Sequence, residues 1–258
     1  MRFTRSDRVI FGKDTLAEVI CQLRFPTILT IGTKPPDDFQ EAIRSDYPVY
    51  RRQAAVGGAE LPDLAPFIQQ LPSPPDLLTH WFESDDGNSI ISLTSDFLAI
   101  TSKQYRAWGA FREEIARAVA ALEAIYDPAF YERVGLRYRD EVDRTELGLV
   151  DRPWSALLDE GMVSLLGADL NIDLKRDQIR TQALLHLDDV DGGLVRLQHG
   201  VGDGGDVYAI DADFYQEGHT ERGDLFDILD NFHDEEGHLF RWAISPELST
   251  ALEPRPPE

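Results

Sequence analysis

Apolar and polar residues alternate with a period of two along residues 17–31, which sets Gln22 and Arg24 on one face and Cys21, Leu23 and Phe25 on the other. Such alternation predicts a half-buried strand with one polar face. The same device recurs over residues 135–142, where Arg137 and Arg139 oppose Leu136, Tyr138 and Val142 within a predicted strand 131–142. Further strands are predicted at 77–84, 89–94 and 97–104, and again at 178–188, 193–201 and 206–216. Turns fall at Asp85-Asp86-Gly87-Asn88, at 188–193 and at 202–206, where glycine and aspartate supply hairpin chemistry.

The period changes to three and four over 106–126, where Trp108, Phe111, Ile115, Val119, Leu122 and Ile125 form an apolar stripe that Asp127-Pro128 ends. That is an amphipathic helix. A second long helix is predicted at 223–243 through Leu225, Ile228, Leu229, Phe232, Leu239, Phe240 and Ala243. Shorter helices are expected at 37–46, opened by Pro35-Pro36-Asp37-Asp38, and at 154–166, and proline and acids suit a first helical turn. An extended piece at 49–54 leads into Gly57-Gly58 and a stretch bearing Pro62, Pro66, Pro72, Pro74 and Pro75, which reads as a long surface connection. The tail 253–258 reads as frayed.

Three strands and a long helix thus occur twice, at about 77–126 and 178–243, without residue-level identity between the copies. The expected fold is α+β: two similar antiparallel-sheet halves, 1–145 and 146–258, each packed by a long helix, in one compact unit.

A length of 258 residues with 42% hydrophobic content supports a sizeable core without staples. The lone cysteine, Cys21, cannot form an internal disulfide, and its apolar setting predicts a buried small hydrophobe. The charged start and the lack of an apolar run near the ~20 residues of a bilayer span predict a cytoplasmic protein with no membrane association. Forty-seven acidic against 25 basic residues give a formal charge of −22. Such a field repels phosphate backbones, which argues against unspecific nucleic-acid binding; a solvated acidic surface that promotes solubility accounts for it whatever the function, and it equally suits docking on a partner protein with a basic surface or mimicry of nucleic acid.

Asp211 and Asp213, two apart on a predicted strand, share a face and form the strongest candidate for a divalent metal, weighed against a solvated face that answers Arg137 or Arg196. The six histidines lack zinc spacing; His186 and His199 lie on neighbouring predicted strands where they could meet. The glycine-rich run 200–205 stands between two strands and reads as a hairpin connection, since a phosphate cradle opens a helix. No nucleophile elbow, Walker lysine motif or kinase signature occurs. No catalytic residue and no cofactor is therefore assigned. What remains is a polar strand face of Gln22, Arg24, Arg137, Arg139, Arg196 and Gln198, with Asp211 and Asp213, as the candidate binding surface. On one continuous sheet these side chains would line a charged concavity.

The ordered motifs Glu18-Val-Ile-Cys-Gln-Leu-Arg-Phe-Pro26, Phe39-Gln-Glu-Ala-Ile-Arg-Ser-Asp-Tyr-Pro48 and Val134-Gly-Leu-Arg-Tyr138 give the chain a family likeness. From Leu16 to about Leu248 it resembles a sporadically distributed bacterial family of uncharacterised proteins of similar length. In that family an aliphatic residue and asparagine follow the Gly-Leu-Arg-Tyr motif, where this chain has Arg139 and Asp140. The resemblance implies no activity, cofactor or catalytic residue. Its patchy distribution points by association to mobile-element, defence or toxin-related contexts. The expected function is a non-enzymatic protein-binding module in an antitoxin, immunity or defence-accessory role. The alternative is an enzyme or anionic-ligand-binding protein using the arginine and aspartate face with a divalent metal. A structural subunit docking through 61–75 is a third reading.

Overall fold

A computed structural model describes residues 3, 5, 7–54, 78–163, 179–188, 190–202 and 204–256. The proline-rich stretch 61–75 falls outside them, as do 164–166 of the expected helix 154–166. The fold is α+β with a large antiparallel sheet. Among the described residues the strands are β1 (Ile10–Phe11), β2 (Leu16–Arg24), β3 (Val49–Ala54), β4 (Leu78–Glu83), β5 (Ser89–Leu93), β6 (Phe97–Ser102), β7 (Tyr131–Asp143), β8 (Ile179–His186), β9 (Gly193–Val201), β10 (Val207–Thr220) and β11 (Pro254–Arg255). Nine of them are hydrogen-bonded in the order β3-β4-β5-β6-β2-β7-β10-β9-β8.

By its contacts the chain divides into two units, one of residues 1–19, 135–217 and 223–258, the other of 20–134 and 218–222. The first nineteen residues therefore group with the C-terminal part of the chain.

In the unit 20–134, β4, β5 and β6 form a meander whose last strand neighbours β2. Helices α1 (Leu29–Thr33) and α2 (Asp37–Ile43) follow β2, and α3 (Trp108–Tyr126) follows β6. Trp108, Phe111, Ile115, Val119 and Leu122 of α3 are buried, and α3 packs on α2 and against β6. Asp127 ends α3 in the left-handed region at φ 45°, and Pro128 cannot continue a helix. In the β4–β5 turn, Asp86 accepts from the Ser84 hydroxyl at 2.7 Å and the Asn88 backbone N–H at 3.0 Å. Those hydrogen bonds hold its carboxyl down at about 2.

In the other unit, β8, β9 and β10 form a second meander whose last strand neighbours β7, and α7 (Leu225–Ala243) follows. Short helices α4 (Arg144–Leu147), α5 (Trp154–Leu157) and α6 (Glu160–Val163) lie between β7 and β8, and α8 (Pro246–Ala251) follows α7. Leu225, Leu229, Phe232, Leu239 and Ala243 are buried, with the Phe232 ring tilted against that of Phe214 of β10, centroids 6.4 Å apart. Each unit thus repeats one scheme: a strand, a three-strand meander returning beside it, and a long helix.

Several expectations need correction. The first strand ends at Arg24, and residues 29–33 are helical, because Pro26 has no N–H for the ladder and a fixed φ. The expected helix 37–46 stops at Ile43, and Asp46 and Tyr47 close a turn onto the Ile43 carbonyl. Helix 154–166 is broken into α5 and α6 by extended backbone at Leu158, which bridges to Ile244. The tail is not frayed at 254–255: it pairs as β11 with β1.

Candidate functional site

The alternation of β7 sorts its side chains onto two faces. On one, Arg137 is buried and donates through Nε and Nη2 to the two carboxylate oxygens of Asp211 on β10, at 2.7 and 2.5 Å. This is a bidentate pair, the strongest ion-pair geometry available to arginine. Burial works to discharge the guanidinium, but the Asp211 hydrogen bonds and the fields of Asp211, Glu18 and Asp213 outweigh it and hold the charge more firmly than usual.

Strand register extends the face along β10 and β9. Asp211 stands opposite Gln198, and Asp213 opposite Arg196. Arg196 Nη1 lies 3.5 Å from Asp213 Oδ2, and its guanidinium carbon sits 5.3 Å from the centre of the Tyr215 ring, where the π-cloud attracts a cation. Gln198 in turn donates to Gln182 of β8 at 3.5 Å. Arg139 donates to Glu141, its neighbour on the same strand face, at 2.6 Å. The chain therefore brings Arg137, Arg196, Gln198, Asp211 and Asp213 onto one face and gives the arginines carboxylate partners. Both aspartates, candidates for a metal, are drawn to arginine, and among the described residues no group of three or more His, Cys, Asp or Glu side chains is arranged to hold a metal ion.

In the unit 20–134, the Gln22 side-chain oxygen accepts from Arg133 Nη1 at 2.9 Å, and Arg24 pairs with Asp96 at 3.7 Å. Cys21 is buried beneath them on the opposite strand face, and burial pushes its thiol pKa well up despite the nearby Arg133, which suits a small hydrophobe rather than a nucleophile.

The other face of β7 turns to α7. There the Tyr138 hydroxyl bonds His233 Nδ1 at 2.9 Å, and buried Asp140 accepts from the Thr15 hydroxyl at 2.7 Å. Burial raises the Asp140 carboxyl to about 7, the Thr15 hydrogen bond opposing it and the fields of Asp14 and Asp211 adding to it. On α7, burial and the field of Asp140 raise Glu236 to about 8, while Arg241 pulls it down. Burial lowers His233 to about 4, helped by Arg8 and Arg241 and opposed by Asp230 and Asp234.

Sequence reasoning missed Glu18, Arg133, Asp140 and Glu236. Glu18 was legible as the residue four before Gln22 on the same strand face. Glu236 was not, because its partner lies 96 positions away in the sequence. His186 and His199 do not meet: His199 stands opposite Thr181, His186 opposite Leu194, and His199 bonds the Tyr208 hydroxyl at 2.7 Å. The glycine-rich run is a β9–β10 connection, fixed by Arg144, whose Nη2 donates to Gly205 O and Asp206 Oδ1 at 2.9 and 2.7 Å.

No protein-family model and no curated protein matches the chain.

Proposed function

We propose that this protein is a non-enzymatic binding module that docks a protein with a basic surface. The observation that carries the reading is the charge balance: pairing each of the 25 basic residues with one of the 47 acids still leaves 22 carboxylates. The strand-face arginines support it, because Arg137, Arg139 and Arg196 are each engaged by a carboxylate of the same chain. An anionic ligand would have to displace those carboxylates first, whereas a basic protein surface gains from the excess acid as the two approach. The role that fits is an antitoxin, immunity or defence-accessory component, in line with the family likeness of the strand motifs.

The test is capture of partners by the tagged protein from a lysate of the cells that make it, followed by mass spectrometry and reconstitution from purified components. The reading expects a stoichiometric complex with a protein that is basic at its contact surface. A reconstituted complex with an acidic or neutral protein, or no complex with any captured protein, contradicts it.

A further inference from the structure

A basic segment of the chain lies against an acidic helix. Residues 1–13 carry the cations Arg2, Arg5, Arg8 and Lys13 against the single acid Asp7, whereas α7 carries Asp227, Asp230, Asp234, Glu235 and Glu236 against the single cation Arg241. Two ring contacts seat the segment. The Phe3 ring, 2% exposed, lies 5.7 Å from that of Trp242, and the Phe11 ring meets that of Phe240 edge-on, centroids 5.6 Å apart. Phe240 and Trp242 are two residues apart and so point about 200° apart around the helix. A segment that touches both therefore passes round α7, and it passes over the outer side, because the stripe of Leu229, Phe232 and Leu239 is buried. Arg8 stands near enough to α7 for its charge to bear on His233 and Arg241, both of which also feel Asp234.

Beyond the two rings, what holds the segment is slight. Its ladder with β11 is two residues long. The Gly12 and Lys13 N–H groups donate to the Leu252 carbonyl at 2.9 and 3.1 Å. Lys13 pairs with Glu253 at 3.7 Å in an exposed setting, where an ion pair contributes little. Ile10 is 48% exposed, and Arg5 and Arg8 are exposed. A segment with few buried contacts and a short, exposed ladder opens locally at far lower cost than the sheet does.

We propose that the segment from Phe3 to Lys13 is a displaceable strap on the outer side of α7, and that the basic partner docks there by replacing it. The partner would set cations against Asp230 and Asp234 and aromatic side chains on Phe240 and Trp242. This rests on the binding reading and names its surface. The strap already presents the chemistry that the partner must bring, cations spaced among aromatic rings. While it is seated, the apparent affinity of a competitor is reduced to the fraction of molecules whose surface is open.

The test uses the full chain and, as probe, a fluorescently labelled peptide of residues 1–13 supplied separately. Phe3→Ala with Phe11→Ala loosens the strap and leaves α7 intact; Arg5→Gln with Arg8→Gln loosens it through exposed side chains alone, should the first pair impair folding. The loosened chains are expected to bind the peptide at least about tenfold more tightly than the parent, whose own segment competes. Adding Asp230→Asn and Asp234→Asn to a loosened chain should weaken peptide binding about 3- to 10-fold. Equal affinity in parent and loosened chains, no binding by any of them up to about 1 mM, or binding undiminished by the two Asp→Asn changes overturns the strap. A partner complex that reconstitutes equally well with parent and loosened chains also overturns it while the binding reading stands. The expected peptide result beside a failed reconstitution supports the strap and overturns that reading.

Discussion

Arg137 and Asp211 are the residues whose removal separates an ion pair from the fold around it. Arg137→Ala leaves Asp211 near Asp213 and Glu18 with no guanidinium between them. It should cost about 3–5 kcal/mol in urea denaturation, and replacing both partners by apolar residues of similar volume should recover most of that. An equal loss in the single and double variants would contradict the pairing account. Asp140 gives the second residue-scale prediction. Its folded carboxyl is raised from 3.8 to about 7, so the native state holds a proton that the unfolded chain releases. The associated stability is full below about pH 4 and is lost as pH rises to about 7. Asp140→Asn, which keeps an acceptor for Thr15, should flatten the decline in stability between those values. A pH profile unchanged by the substitution would remove Asp140 from the explanation. The charged strand face was legible in the sequence because period two assigns a face without knowledge of the fold. The β7–α7 acids were not, since their pKa values arise from burial and from a contact made only when α7 folds over β7.

Strands and helices were easier to read than their ends. The stripes of α3 and α7 and the alternation of β7, β9 and β10 specify each element over many residues, so single exceptions do not mislead. Ends depend on one residue: Pro26 stops β2 early, and the β1–β11 pairing that holds 254–255 is a contact between the two termini with no local signal. Gly200 shows how one position decides an element. A Cβ there would lie 1.8 Å from the Ile179 carbonyl oxygen on β8, so β8 and β9 approach only because the side chain is missing. Gly200→Ala is expected to destabilise the protein by about 2 kcal/mol or more and to speed hydrogen exchange in β8 and β9 before other strands. Uniform exchange across all strands would contradict a local clash.

For the molecule as a whole, the formal charge of −22 makes ionic strength the natural variable. Self-repulsion among carboxylates opposes the folded state, and salt screens it over a Debye length of about 8–10 Å. Raising salt from about 20 to about 500 mM should therefore lift the melting temperature by roughly 2–8 °C; a flat or falling profile would mean that the acids are already compensated within the chain. The same screening acts in the opposite direction on association with a basic partner. The decisive measurement is the dissociation constant of the reconstituted complex across that salt range. The account predicts an affinity falling at least about tenfold as salt rises, and an affinity independent of salt would contradict docking through the acidic surface.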